Sequence, residues 1–221
     1  MGGLVILWDF DGTLVDTAAL WRSSEYAFLA SRNLPWNDDA SRQLIGGNLD
    51  LMSNVMADVT GVRFGVEELQ HGLLGLVGDA LSRHVPWMPG VERLLREQHE
   101  AGHRSALVTS SYASLVEIAL ASLPFSPFET IVARDDVERP KPDAEPYALA
   151  LERLGAVGSQ AVAIEDSMSG VTSALAAGCH VIAVGDHVVH GSFPGKRVRH
   201  LDSLADVGLD AITAPVRSIA L

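Results

Sequence analysis

The stretch "LVILWDFDGTLVDT", Leu4 to Thr17, decides how this chain is read. Its first five residues are apolar, too few for an ordinary helix, as expected of a parallel strand covered on both faces. Asp9 and Asp11 then stand where that strand runs out, with Gly12 directly behind. In an extended backbone residues i and i+2 project to the same side. The two carboxylates are therefore expected to point together into the crevice at the strand's carboxyl end, where open α/β sheets take their ligands. Gly12 lets the chain turn sharply and approach a ligand closely. Carboxylates so placed are costly to desolvate, and they repel each other. Read alone, D-F-D-G-T is also an ordinary wet turn; otherwise a cation belongs between the acids.

Working outward, four more apolar runs read as buried strands: "SALVT" (105–109), "TIVA" (130–133), "AVAI" (161–164) and "HVIAV" (180–184). Helical patterns fall between the later ones, at 114–123, 145–154 and 169–177, and Gly155 and Gly178 stand where helix ends need a left-handed residue. Alternating strands and helices imply a doubly wound, Rossmann-like parallel sheet. Residues 17–84 break the rhythm, with four helix-like stretches near 17–32, 38–45, 48–60 and 66–83. Leu69, Leu73, Leu76, Val77 and Leu81 give the last of these an apolar stripe. The expected organisation is an α/β core of residues 1–16 and 87–221 with an inserted α-helical cap at 17–86, where Pro86 and Pro89 break the return segment.

Composition narrows the function classes. The 221 residues are 48% hydrophobic and carry a formal net charge of −12, enough apolar material for a sizeable core and no run of basic residues for a nucleic acid or an anionic membrane. The single Cys179 permits neither an internal disulfide nor a Cys-rich zinc site and reads as a small buried residue. No signal peptide is evident, Ile6 spoils a myristoylation pattern, and no segment approaches a membrane span. The expectation is a cytoplasmic protein, a monomer or weak homodimer.

Other strand ends change the weight of the opening motif. "AVAI" is followed by Glu165 and Asp166, a second acidic pair; "SALV" by Thr109, Ser110 and Ser111; "TIVA" by the loop "RDDVERPKPD" carrying Lys141, one of two lysines in the chain. Each has a bland alternative, a helix cap for the hydroxyls or a solvated loop for the lysine, but together they suit phosphoryl transfer. A phosphate approaching a carboxylate meets roughly 4 kcal/mol of repulsion per charge pair at about 4 Å and an effective dielectric of about 20. Mg2+, held by carboxylates, a carbonyl and waters, offsets that repulsion; hydroxyls and N–H groups can hold phosphoryl oxygens, and a lysine adds a point charge.

"DFDGTLVD", "LVTSS", "RPKPDAEPY" and "AIEDSMSG", in this order and spacing, resemble the four motifs of the haloacid dehalogenase superfamily, and the helical insertion resembles the cap of its β-phosphoglucomutase and phosphoglycolate phosphatase branch. The resemblance implies that Asp9 is a nucleophile forming an aspartyl-phosphate and Asp11 a general acid and base. It implies that Thr109 and the N–H of Ser110 grip the phosphoryl group, and that Lys141 contacts that group and orients Asp9. Mg2+ is implied at the Asp9 carboxylate, the Asp11 carbonyl and Asp166, with Glu165 as a direct or indirect ligand. The cap turn Gly46-Gly47-Asn48 is expected to face the leaving group, and Asp16 to begin the hinge.

Departures choose within the family. Asp11 disfavours dehalogenation, and a cap without lysine disfavours the Schiff-base phosphonoacetaldehyde hydrolases. Trp21 and Leu49 stand about where mutases resembling this chain carry the cap histidine and arginine that serve a second phosphate, although Arg22 or Arg42 could substitute. The preferred expectation is a Mg2+-dependent phosphatase acting on a small phosphorylated metabolite, a sugar phosphate ahead of phosphoglycolate. A phosphosugar mutase and a receiver-like phosphate-sensing module stay open. Trp8 is expected to pack against a core helix, Trp21, Trp36 and Trp87 to serve packing, His187 and His190 to be surface residues, and "GKRVRH" (195–200) to be a solvated loop.

Overall fold

The computed structural model describes residues 4–44, 49–189, 191–193 and 197–217, without the side chains of 50 and 215–217. The chain divides into two compact units, Asp16–Pro86 and Met1–Val15 with Trp87–Leu221. The first unit is helical: α1 (Ala18–Ala30), α2 (Asp38–Gln43), α3 (Leu49–Thr60) and α4 (Val66–Arg83). Asn37 starts α2 by accepting the Ala40 N–H on its side chain at 2.9 Å, the usual cap of a helix that follows extended backbone. Leu69, Leu73, Val77 and Leu81 of α4 are buried, as their spacing predicts. Phe28 of α1 meets Phe64 edge to face at 5.2 Å. Its ring lies where a Cβ on Gly72 would stand, 2.3 Å from Cε2, so a glycine there lets α1 and α4 approach. Glu25 is a buried carboxylate in this unit: it accepts hydrogen bonds from Ser41 and Trp36, and burial raises its pKa above the ordinary carboxylate value.

In the second unit β1 (Val5–Trp8), β2 (Arg104–Val108), β3 (Thr130–Val132), β4 (Ala161–Glu165), β5 (His180–Val184) and β6 (Val198–Leu201) form one parallel sheet in the order β3-β2-β1-β4-β5-β6. The apolar runs form strands because both faces are covered. Val5 and Leu7 pack with Tyr147, Ala150 and Leu154 of the α7 region (Glu145–Arg153) and Val171 and Ala174 of α8 (Met168–Ala176). On the other face Trp8 donates its Nε1–H to Gln98 Oε1 on α5 (Val91–Glu100) at 2.7 Å, and Gln98 Nε2 passes the network to Ser105. The remaining helices are α6 (Ala113–Leu120) and α9 (Leu209–Arg217). Cys179 is buried, and Gly155 and Gly178 have the left-handed backbone expected at helix ends.

The segment read above as a solvated loop is different. Val198–Leu201 pairs with β5 as the edge strand β6, while residues 195 and 196 lie outside the described residues. An edge strand is bonded on one side and half-buried, so it needs no apolar run and "VRHL" carries no strand signal. No described helix is long and apolar enough to cross a membrane.

Sheet register places the chemistry. Trp8 pairs with Leu107 on one side and Ile164 on the other, so the next step sets Asp9 beside Val108 and Glu165. The chain runs β1-β2-β3 to one side and resumes at β4 on the other, which makes the carboxyl ends of β1 and β4 the topological switch point.

Candidate active site

The β1 carboxyl end closes into a tight loop. Asp9 N–H bonds Ile164 O at 3.0 Å, Gly12 N–H bonds Val15 O at 2.9 Å, and Phe10 O accepts from both Leu14 and Val15. Gly12 has φ +78°, and a Cβ on it would stand 2.1 Å from Asp166 Oδ2. Only glycine both adopts that backbone and leaves room for the Asp166 carboxylate.

Lys141 is the electrostatic centre. Its ammonium donates to Asp9 Oδ1 at 2.6 Å, to Glu165 Oε1 at 2.5 Å and to Val108 O at 2.9 Å, with its side chain 4% exposed. Three N–H donors meet three acceptors. Burial alone would lower the lysine pKa, but Asp9 and Glu165 overcome it and raise the value, so the charge persists. Glu165 is fully buried, and Tyr147 donates its hydroxyl to Oε1 at 2.7 Å while Ser167 reaches Oε2 at 3.1 Å. Gly170 makes the space: a Cβ there would fall 1.9 Å from the Glu165 Cδ.

Thr109 and Ser111 are buried and Ser110 is exposed. Ser111 N–H donates to Thr109 Oγ1 at 2.9 Å, while Ser111 Oγ donates to Asp11 Oδ2 at 2.7 Å and Thr109 Oγ1 approaches the same oxygen at 3.4 Å. The hydroxyl cluster at the end of β2 thus reaches the second aspartate of the opening motif.

Oxygen atoms of Asp9, Glu165 and Asp166 lie within 4.8 Å of one another. The buried Asp9 carboxyl is pushed well above the usual range by burial and by Glu165, with Lys141 opposing. Asp166 is raised to about 7, again by burial and then Glu165, with His187 and Lys141 opposing. Three carboxylates against one ammonium are an excess of negative charge, and a hard cation with oxygen ligands is what such a donor set fits.

The structure thus brings Asp9, Asp11, Lys141, Thr109, Glu165 and Asp166 to the ends of β1, β2 and β4. Gly46, Gly47 and Asn48 lie outside the described residues, as does His190. Asp16 is exposed, and its N–H bonds Pro86 O at 2.9 Å. His187 is exposed as expected but close enough to Asp166 to lower its pKa, a neighbourhood the sequence does not announce. Tyr147 and Gly170 were readable only as members of "RPKPDAEPY" and "AIEDSMSG"; six residues from Lys141 and five from Glu165 are the spacings that mark them.

Residues 6–184 match the family of haloacid dehalogenase-like hydrolases. The chain belongs to this family. Among similar dehalogenase-like proteins is hexitol phosphatase A of Escherichia coli K12, 30% identical over 80% of this chain and 81% of that one. A phosphorylated carbohydrates phosphatase of Thermotoga maritima is 28% identical over 95% and 94% of the two chains. Among solved structures, CbbY from Rhodobacter sphaeroides, a mutant in complex with xylulose-(1,5)bisphosphate, superposes with a TM-score of 0.82 at 27% identity, covering 96% of this dehalogenase-like chain and 99% of the other.

Proposed function

We propose that this protein is a Mg2+-dependent phosphatase that hydrolyses a small sugar or polyol phosphate through an aspartyl-phosphate on Asp9. The observation that carries the reading is the buried Asp9 carboxylate held by Lys141 at 2.6 Å, with Asp11 on the next same-side position held by Ser111 at 2.7 Å. In this mechanism Asp9 attacks phosphorus, and Asp11 gives its proton to the departing alkoxide oxygen. Asp11 then takes a proton from the water that attacks the phosphoryl group, which frees Asp9 and phosphate. Lys141 favours the ionised form of Asp9 and orients it, while Thr109 and the Ser110 N–H are assigned to the phosphoryl oxygens. Asp9, the Asp11 carbonyl and Asp166 would hold Mg2+, with Glu165 beside them. When bound, the ion offsets the repulsion between the phosphate and these carboxylates.

The sugar or polyol assignment rests on the names of the relatives, and leaving-group selection is assigned to the helical insertion. The cap contains no lysine, and of its five arginines Arg32 is paired with Glu68 and Arg42 with Asp39, which leaves fewer cations ready for a second phosphate. The test is a panel of hexose, hexitol and pentose phosphates assayed for Mg2+-dependent phosphate release. Asp9→Asn is expected to abolish release. Retained release in that variant, or an isomerised sugar phosphate as the sole product, overturns the proposal.

A further inference from the structure

Tyr147 sits on α7, fully buried, with its hydroxyl 2.7 Å from Glu165 Oε1 and its ring centroid 5.3 Å from the Lys141 ammonium. Packing alone does not call for a hydroxyl here. A phenylalanine would fill the same space beside Ala150, Leu154 and Val171 without burying a polar group. Nor can the hydroxyl reach substrate, since its hydrogen bond ends on a carboxylate that is itself wholly enclosed. Its effect has to pass through Glu165.

Glu165 Oε1 is shared by two donors, the Tyr147 hydroxyl and the Lys141 ammonium, and the ammonium is in turn shared by Asp9. Two carboxylates thus compete for one cation at 2.5 and 2.6 Å. A neutral donor on Glu165 meets part of that carboxylate's demand and weakens its claim on the lysine. Burial, and then the Glu165 and Asp9 charges, raise the phenol pKa well above its ordinary value, so Tyr147 remains a donor at physiological pH. The Tyr147 ring also lies within cation–π distance of the ammonium.

We infer that Tyr147 is a positioning residue that sets how the Lys141 ammonium is divided between Glu165 and Asp9. The consequence for turnover rests on the phosphatase reading; the link from Tyr147 to Lys141 does not. Removing the hydroxyl leaves Glu165 with the ammonium as its main donor, and the lysine is drawn from Asp9.

Two readouts test this on the full chain. With only two lysines in the sequence, ammonium resonances in 15N-lysine-labelled protein are few, and Lys141→Met identifies the one that belongs to Lys141. Tyr147→Phe is expected to displace that resonance and speed its hydrogen exchange. It is also expected to lower kcat for p-nitrophenyl phosphate with Mg2+ roughly tenfold, with KM within about twofold. An unmoved resonance overturns the inference whatever happens to kcat, and a displaced resonance with unchanged kcat overturns the positioning role. Incorporation of 3-fluorotyrosine, which keeps the hydroxyl and raises its acidity, is a second perturbation should the phenylalanine variant not fold; it too must displace the Lys141 signal. The Asp9→Asn control separates the two claims. Phosphate release surviving in it removes the phosphatase reading and leaves the resonance to judge Tyr147.

Discussion

Gly170→Ala is the sharpest single test of the buried acid. In most helices this substitution helps, since alanine is favoured over glycine by about 0.5–1 kcal/mol. Gly170 lies in the first turn of α8, with its N–H on the Ser167 Oγ that caps the helix at 3.0 Å. A Cβ there would lie 1.9 Å from Glu165 Cδ and Oε2 and 2.0 Å from Oε1. The carboxylate has little freedom to withdraw, because Lys141 and Tyr147 hold one oxygen and Ser167 the other. Overpacking of this kind costs about 1–3 kcal/mol, and each hydrogen bond to a charged group lost in relieving it costs about 1.5–3 kcal/mol. The losses exceed the helix gain, and a net destabilisation of about 3 kcal/mol is expected, with phosphate release largely lost as Lys141 is displaced. Gly75, exposed in the middle of α4 with no atom within 4 Å of its would-be Cβ, is the control; alanine there is expected to add about 0.5–1 kcal/mol. Urea unfolding midpoints at unchanged slope measure both. A Gly170→Ala protein as stable and as active as the parent would falsify the packing argument, because Glu165 would then not occupy the space described.

Further outcomes follow from the same geometry. In EDTA, thermal stability is expected to fall as pH rises from about 4 to about 7. The folded Asp166 pKa, about 7 against an ordinary 3.8, contributes stability that is complete at low pH and lost as pH climbs through the folded value. The shift corresponds to roughly 4 kcal/mol at most, and Asp9, also raised, acts in the same direction. His180, lowered by burial and by Arg197, has the opposite sign, so the quantity to compare is wild type against Asp166→Asn across that window. Mg2+ is expected to restore the loss in wild type; identical pH curves for the two proteins would refute the Asp166 argument. Ser111→Ala removes the 2.7 Å bond to Asp11, the shorter of the two that the hydroxyls at the end of β2 direct at it, so kcat is expected to fall about tenfold, with recovery in Ser111→Thr. Steady-state phosphate release decides it, and an alanine variant with parental kcat removes Ser111 from the site.

How much of this was legible in the sequence follows from where each residue gets its information. The strands of the sheet interior are covered on both faces, so "LVILW" and "HVIAV" are apolar throughout and betray themselves. The acids and the hydroxyls stand at or just past the ends of such strands, and position along the chain is enough to nominate them; Lys141 lies in the loop that follows β3. β6 was not legible because an edge strand with half-buried positions tolerates arginine and histidine. Tyr147 and Gly170 were legible only as members of their motifs, for another reason. Their surroundings are set by a carboxylate on a different element, and no local pattern states that a tyrosine on α7 will face the end of β4. Ser111 falls between: its residue type and place were evident, but its partner Asp11 is supplied only by the register of β1 against β2.

The geometry of Lys141 also divides labour within the site. The resemblance gives this lysine two tasks, orienting Asp9 and contacting the phosphoryl group. An ammonium has three hydrogens, and here all three are taken, by Asp9, by Glu165 and by the Val108 carbonyl. A phosphoryl oxygen can be served only by releasing one of them. The carbonyl is the candidate, since it is neutral and at 2.9 Å the longest of the three, whereas giving up either carboxylate would strand a buried charge. On the proposed mechanism Lys141 therefore acts first on the nucleophile, and any contact with the phosphoryl group competes with the end of β2. Thr109 and Ser110, at that same strand end, are better placed to take the phosphoryl oxygens, because doing so breaks no ion pair. On that reading the groups of Thr109 and Ser110 at the end of β2 and the enclosed ammonium beside them are complementary parts, one for the group being transferred and one for the carboxylate that receives it.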